Sequence, residues 1–192
     1  CEIEIDILGQ PIGRQDQYAA AYGGINSIRF GKEGVSVDRI NASNEVIARI
    51  SEEFTLVFTG MSRNASEVLS ETPEDENDKL TRLRIIREHA DKAHDLMANG
   101  EISGLGSLIG EAWNAKRGIS AGVTGDELDA LHERIMEMGA TGAKLLGAGG
   151  GGFFLAHGDI SLRQNLANLG LENRIIPLGI DFDGSTIIHH DR

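Results

Sequence analysis

The sequence has few cysteines, few cations and no long apolar run. Cys1 is the single cysteine, so no disulfide can form within the chain, and a reducing cytoplasm is the simplest location. The sequence also shows no run of about 18 apolar residues and no basic-then-apolar leader. We therefore predict a cytoplasmic protein that does not have a membrane as its partner.

Positive charge is scarce as well. The 192 residues include 18 Lys and Arg against 30 Asp and Glu, which gives a net charge of −12. Nucleic acids and anionic membranes both bind to cationic surfaces, so the composition predicts neither as a partner. It still allows a local basic pocket that binds a phosphorylated small molecule.

The order of the predicted elements indicates an α+β fold rather than a doubly wound sheet. Alternating isoleucines in "CEIEIDIL" predict a strand over residues 1–8, and "INSIRF" with "VSVDRI" predicts a β-hairpin. A short helix is predicted between them in "RQDQYAAAYGG". Further strands are predicted in "FTLVFTG", "FFLAH", "RIIPL" and "STIIHH", with helices in "MSRNASEVLSE", at 80–97, 102–113 and 124–138, and in "SLRQNLANLG".

Two of the helical segments carry apolar stripes that predict burial. Leu80, Leu83 and Met97 recur at helical spacing in the first, and Trp113 lies in the second, so we expect both stripes in the core. Thr124, with a glutamate three residues later, predicts a capping box at the start of the third helix. The acidic segment "ETPEDEND" is predicted to be a loop.

The segment "KLLGAGGGGFFL", residues 144–155, contains five glycines in six consecutive positions. It matches G-x-G-x-x-G, but a dinucleotide-binding loop of this pattern opens a helix, whereas strand-like "FFL" follows here. A Walker A loop would end in Gly-Lys-Ser/Thr, and a protein kinase would carry further signatures that are missing. Two interpretations remain: a glycine-rich turn, or a connection whose backbone N–H groups approach an anion or a sugar.

Three segments in chain order resemble motifs of the GHMP kinases. They are "PIGRQDQYAAAYGG" at 11–24, "FTGMSRNASEVL" at 58–69 and "AKLLGAGGGGFFL" at 143–155, and together they resemble the sugar-kinase branch that includes heptose 7-phosphate kinases. The resemblance implies that residues 1–48 end a domain like domain 2 of ribosomal protein S5. A ferredoxin-like GHMP kinase C-terminal domain would follow over 49–192. It also implies that residues 1–8 end a helix, in conflict with the strand pattern.

The activity implied by the resemblance is ATP-dependent phosphorylation of a sugar or sugar phosphate, namely the C1 hydroxyl of D-glycero-D-manno-heptose 7-phosphate, for nucleotide-activated heptose synthesis. The family's Gly- and Ser-rich nucleotide loop and most ligands of Mg²⁺ would precede residue 1, so we predict no kinase activity for this chain alone. The expected partners are ATP, the sugar phosphate, and either a missing N-terminal half or a second copy in a homodimer. A fucokinase- or galactokinase-like acceptor, a non-catalytic binding module and a purely structural domain remain alternatives.

The acidic motif supplies the implied catalytic residues. Asp16 is predicted in the first turn of a helix, where the helix dipole favours its ionised form. The resemblance implies that Asp16 contacts the acceptor hydroxyl, as a base or as an orienting acceptor. Arg14 would neutralise the transferring phosphoryl group, provided that it lies at the junction of loop and helix. The alternative is a charge pair at a helix start.

The resemblance also implies a set of substrate- and phosphate-binding residues. Arg63, with the start of the helix predicted there, would bind a sugar phosphate, and the alternative is a solvated arginine beside a capped helix. Lys144 is either a phosphate contact or a surface charge, and we prefer the surface charge. The six histidines do not have the spacing of a metal site. The complete binding set is Gly13, Gln17, Tyr18, Ser62, Arg63, Gly147, Gly149, Gly150 and Gly151.

Overall fold

Six strands in two separate sheets form the framework of the described chain. The structure is a computed structural model that describes residues 1–10, 12–62 and 75–188. The strands are β1 (Asn26–Gly31), β2 (Gly34–Arg39), β3 (Phe54–Phe58), β4 (Ala140–Leu145), β5 (Phe153–Gly158) and β6 (Ile175–Pro177).

Six α-helices lie among the described residues, together with several short helical turns. The helices are α1 (Gln15–Tyr22), α2 (Asn44–Glu53), α3 (Glu76–Asn99), α4 (Leu105–Lys116), α5 (Asp126–Glu137) and α6 (Leu162–Leu166). The short turns have 3-10 or π hydrogen bonding and lie at Glu2–Ile7, Ile102–Gly104, Ala121–Val123, Ala167–Leu171 and Glu172–Arg174.

The larger sheet has the strand order β4-β5-β3-β6, and each neighbouring pair is antiparallel. Helices lie between β3 and β4 and between β5 and β6, so the chain runs strand, helix, strand, strand, helix, strand. This order is the ferredoxin-like arrangement. The predictions of an α+β fold and of a ferredoxin-like C-terminal part are confirmed. The S5-like assignment of residues 1–48 and the division at 48/49 stay predictions.

One face of the larger sheet carries the main core. Trp113 and Phe154 are fully buried and meet edge to face with ring centroids 5.7 Å apart, which confirms the predicted burial of Trp113. Helix α5 adds Leu131 and Ile135 to the same core. The larger sheet is therefore closely packed on this face. The connection between β4 and β5 begins at the end of β4, which is an edge strand of this sheet.

The predicted strand at the N-terminus is wrong. Residues 2–7 form a helical turn, with the Leu8 amide donating to the Ile3 carbonyl at 2.9 Å. Ile3 and Ile7 are exposed, so their alternation does not mark one buried face of a sheet. Local backbone hydrogen bonds determine this segment, in agreement with the helix end that the resemblance implied.

The predicted burial of the first helical stripe is also wrong. Helix α3 has no fully buried residue, and its Leu80 and Leu83 are 50% and 43% exposed. Met97, near the other end, packs against a smaller cluster that includes Phe54 and Ile102. The described chain packs against the C-terminal end of this helix and leaves the N-terminal part of its stripe open.

Two predictions near helix starts differ from the structure. Helix α5 begins after Gly125, and the Thr124 hydroxyl donates to the Asp129 carboxylate at 2.7 Å, so no capping box forms. In "ETPEDEND", Asp75 caps α3 by accepting the Asn77 amide at 2.8 Å, so 75–78 start a helix rather than a loop. A carboxylate at the N-cap competes well for the exposed amides of the first turn, which explains the second difference.

Some predicted elements lie outside the described residues. These are residues 71–74 of the predicted loop, most of the helix predicted in "MSRNASEVLSE" and the end of "STIIHH". Residues 185–188 are described, and they do not form the predicted strand.

Candidate active site

The glycine-rich segment is the connection between the antiparallel strands β4 and β5. The Leu146 amide donates to the Phe153 carbonyl at 2.9 Å and closes the hairpin at its base. A strand follows the glycines, which confirms that a dinucleotide-binding loop is the wrong interpretation. Positive φ angles occur at all five glycines, Gly147, Gly149, Gly150, Gly151 and Gly152, a conformation that other residues rarely adopt.

Close backbone contacts hold the second half of this connection. A Cβ atom at Gly149 would lie 2.7 Å from Val123 Cα, and one at Gly151 would lie 2.8 Å from the Met61 carbonyl oxygen. The amides of Gly150 and Gly152 donate to the same two residues, Val123 O at 3.0 Å and Met61 O at 2.9 Å. The connection is therefore braced rather than a free hinge. These two amides are occupied within the protein.

Thr59 adds a brace that the sequence analysis did not find. Its side chain is 4% exposed, and its hydroxyl donates to the Gly152 carbonyl at 3.0 Å and accepts the Met61 amide at 3.1 Å. The Thr59 amide also donates to Gly152 O at 2.9 Å. A threonine directly after the buried strand β3 was the available signal, because a polar group there requires a partner.

A cavity of about 560 Å³ brings the acidic motif and the glycine connection together. Five sequence-predicted residues line it: Gly13, Arg14, Asp16, Gln17 and Gly147. The wall is completed by Glu4, Ile12, Gln15, Phe30 and Ala148. Segments about 130 residues apart in the chain thus form opposite walls of one space, which is the arrangement that the proposed chemistry requires.

A second cavity of about 410 Å³ lies on the other side of the glycine connection. Ser62, Gly149 and Gly151 line it, and Gly147 lines both cavities. The sequence-predicted binding residues therefore divide into two groups that meet at Gly147. Arg63 lies outside the described residues.

Asp16 lies in the first turn of α1 and is exposed to solvent. Arg14 occupies the N-cap position, so it does lie at the junction of loop and helix, and its carbonyl accepts the Tyr18 amide at 3.2 Å. The Gln15 side chain donates to Asp16 Oδ1 at 3.3 Å. The carboxylate thus lies where the helix dipole favours its charge, with room for a ligand beside it.

Gln17 and Tyr18 face different surroundings. The Gln17 amide nitrogen donates to Glu4 Oε2 at 2.5 Å, and its Oε1 is buried without a hydrogen-bond partner among the described residues. Tyr18 packs edge to face on Phe30, with centroids 5.6 Å apart, and attaches α1 to the hairpin. Gln17 therefore lines the cavity, whereas Tyr18 packs α1 against the hairpin. Neither Tyr18 nor Gly150 lines either cavity.

Two partly buried lysines lie at the glycine connection. Burial lowers the pKa of Lys116 to about 8, the Lys144 ammonium lowers it in the same direction, and the Asp16 carboxylate opposes both. Burial also lowers the pKa of Lys144, which is partly buried on β4, and its role stays a prediction. Lys116 was missed, because in the sequence it is only the last residue of an apolar helix.

The described residues offer little for a metal. No group of three His, Cys, Asp or Glu side chains among them could hold a metal ion. Among the same residues, no helix is both long and apolar enough to cross a membrane.

Comparison with known proteins shows which protein family the middle of this chain matches. Residues 93–168 match the family described as GHMP kinases C terminal. The chain therefore carries a GHMP kinase C-terminal domain and is homologous to GHMP sugar kinases, of which it spans about half the length.

Particular relatives are sugar kinases. Over 168 residues the chain is 30% identical to the D-glycero-alpha-D-manno-heptose 7-phosphate kinase of Campylobacter jejuni, covering 86% of this chain and 50% of the relative. It is 28% identical to the galactokinase of Pyrococcus furiosus, covering 85% and 55%. The crystal structure of a D-glycero-D-manno-heptose 1-phosphate kinase from Bacteroides thetaiotaomicron has a TM-score of 0.70 at 22% identity, covering 95% and 51%, and supports the fold.

Proposed function

We propose that the whole protein is an ATP-dependent sugar phosphate kinase that phosphorylates the C1 hydroxyl of D-glycero-D-manno-heptose 7-phosphate. The observation that supports it is the cavity shared by Asp16, Arg14 and Gly147. The similarity to a heptose 7-phosphate kinase suggests the acceptor. A cytoplasmic location stays a prediction from the single cysteine.

In this proposal, Asp16 orients the acceptor hydroxyl towards the γ-phosphate. A carboxylate held at a helix start is a weak base near neutral pH, so alignment and electrostatics contribute more than proton abstraction. Arg14, at the N-cap beside it, neutralises charge on the transferring phosphoryl group. The glycine connection forms the opposite wall and permits close approach of the sugar, because it has no side chains there except that of Ala148.

In this proposal the distal phosphate of such a substrate lies at the second cavity, on the side of Ser62. Ser62, with Arg63 next to it in sequence, would bind that phosphate. ATP and Mg²⁺ are expected from the family, and no described residue is assigned to the metal.

The test is the exchange of Asp16 for asparagine in the whole protein, with Asp38→Asn as the matched control on the exposed strand β2. We expect D16N to lower kcat/KM by about 100- to 10,000-fold, the range for loss of acid–base and orienting groups, and D38N to leave it unchanged. Because Asp16 is exposed, the free energy of unfolding should change by less than about 0.5 kcal/mol.

A screen with ATP and heptose 7-phosphate, galactose or fucose decides the acceptor. Preferred turnover of galactose or fucose would replace the heptose assignment and keep the class. Sugar binding without any phosphoryl transfer would indicate a binding module. Full activity of D16N would refute the role of Asp16.

A further inference from the structure

Lys116, the last residue of α4, crosses to the start of the glycine connection. Its ammonium donates to the Leu145 carbonyl at 3.0 Å and to the Gly147 carbonyl at 2.5 Å. These two carbonyls are at the end of β4 and at the first glycine, so one side chain ties the helix to the point where the connection begins.

The two halves of the glycine connection are held differently. Backbone contacts with Val123 and Met61 hold the second half. At Gly147 a Cβ atom would find nothing within 4 Å, so this glycine has no close backbone contact on that side like those at Gly149 and Gly151. Gly147 nevertheless lines both cavities, as does Ala148. The Lys116 ammonium thus holds the carbonyl of a residue that borders both spaces.

Desolvation makes an ammonium group unfavourable at the position of Lys116. Lys116 is partly buried, and among the described residues no carboxylate forms an ion pair with it. The charges facing it from neighbouring elements are Lys144 on β4 and Asp16 on α1; Arg82, paired with Asp78, lies at Gly118 beyond the helix end. An apolar side chain would fill the space without the desolvation cost, but it could not hold the two carbonyls.

We propose that Lys116 is a positioning residue of this site: by holding the Gly147 carbonyl, it fixes the wall that faces Asp16. The proposal rests on the proposed function, in which the cavity between Asp16 and Gly147 is the place of phosphoryl transfer. Misplacement of a wall by about 1 Å can lower a rate by about 100-fold, so the contact matters for catalysis without touching the substrate.

The test compares K116M, K116R and the control K92M in the whole protein, where Lys92 is an exposed residue of α3. We expect K116M to lower kcat by about 100-fold while KM for the sugar phosphate changes by less than about 3-fold, since orientation rather than binding is lost. K116R retains charged donors and should recover at least about a tenth of the wild-type kcat. K92M should behave as wild type.

Hydrogen exchange provides a readout that does not require turnover. K116M should speed amide exchange within 146–152 by about 10-fold or more, and K116R by much less. Normal kcat in K116M, or a rise in KM alone, would overturn the proposal, as would unchanged exchange in this segment. If D16N is fully active, the role proposed for Asp16 fails, while the exchange data still decide whether Lys116 holds the connection.

Discussion

The two walls of the candidate site come from regions with very different packing. The glycine connection leaves a sheet whose core includes the fully buried Trp113 and Phe154. The opposite wall, with Asp16, comes from α1, which has no buried residue. Among the described residues before Ile50, only Gly23 is buried. One wall is therefore attached to a sheet with a buried core, and the other to a helix that is held by a few contacts.

Some of the contacts at the C-terminal end of α1, and just beyond it, come from the far end of the chain. The Gly24 amide donates to the Asp181 carbonyl at 2.6 Å, and Arg39 donates to the Phe182 carbonyl at 2.7 Å. Gly23 and Gly184 approach so closely that a Cβ at either would overlap the other's backbone. The geometry between Asp16 and Gly147 thus depends on a C-terminal segment that contributes no residue to either cavity.

We expect the largest difference in the free energy of unfolding between two substitutions of phenylalanine, one in the larger sheet and one in the β1–β2 hairpin. Phe154 on β5 is fully buried, whereas Phe30 on β1 is 47% exposed. Phe154→Ala should lower the free energy of unfolding by about 3–5 kcal/mol, because it leaves a cavity in the core. Phe30→Ala should cost about 1 kcal/mol. Urea denaturation measures both, and equal losses would show that the hairpin is as tightly packed as the sheet.

A smaller effect should separate the two halves of the glycine connection. Gly149→Ala adds a positive-φ strain and an overlap with the Val123 backbone, so we expect a loss of about 2–4 kcal/mol in the free energy of unfolding. Gly147→Ala adds the strain alone, about 1–2 kcal/mol, because nothing lies within 4 Å of its Cβ position. Thermal and urea melts compare the pair. A larger loss for Gly147 would contradict the bracing described above.

The smallest global effect is expected for Arg39→Ala. The change removes the contact with Phe182, and Arg29→Ala, which removes an exposed ion pair with Asp91, is its control. We expect Arg39→Ala to lower the free energy of unfolding by less than about 1 kcal/mol. Amide exchange at residues 20–26 and 181–185 should nevertheless become faster. Hydrogen exchange by mass spectrometry measures this. Exchange that stays slow in both segments would mean that other contacts hold α1.

Local patterns predicted the elements that local physics determines. The hairpin followed from two alternating segments around a turn, and it forms with Ile28 opposite Val37. Arg14 lies at the start of α1, which is the position that its implied role requires. Burial was less predictable. The stripe with Leu80 and Leu83 has helical spacing, but spacing alone does not state whether another element covers it.

The role of Lys116 illustrates the same limit at the site. Its neighbours in sequence carry no sign of a binding residue, and its two acceptors are backbone carbonyls about 30 positions away. Carbonyls are present at every residue, so no pattern of side chains can mark them as partners. Thr59 differs, because its polar side chain directly after a buried strand was a signal in the sequence, although its partners were not.

By itself, the sequence determined which residues could carry the chemistry and that five of the six positions 147–152 are glycines, since residue type and backbone freedom are local properties. Only the tertiary structure decided that Asp16 and Gly147 face each other, because the antiparallel pairing of β4 with β5 and the packing of α1 depend on contacts between distant segments. It also decided that the glycine run is braced, since Val123 and Met61 are its neighbours in space alone.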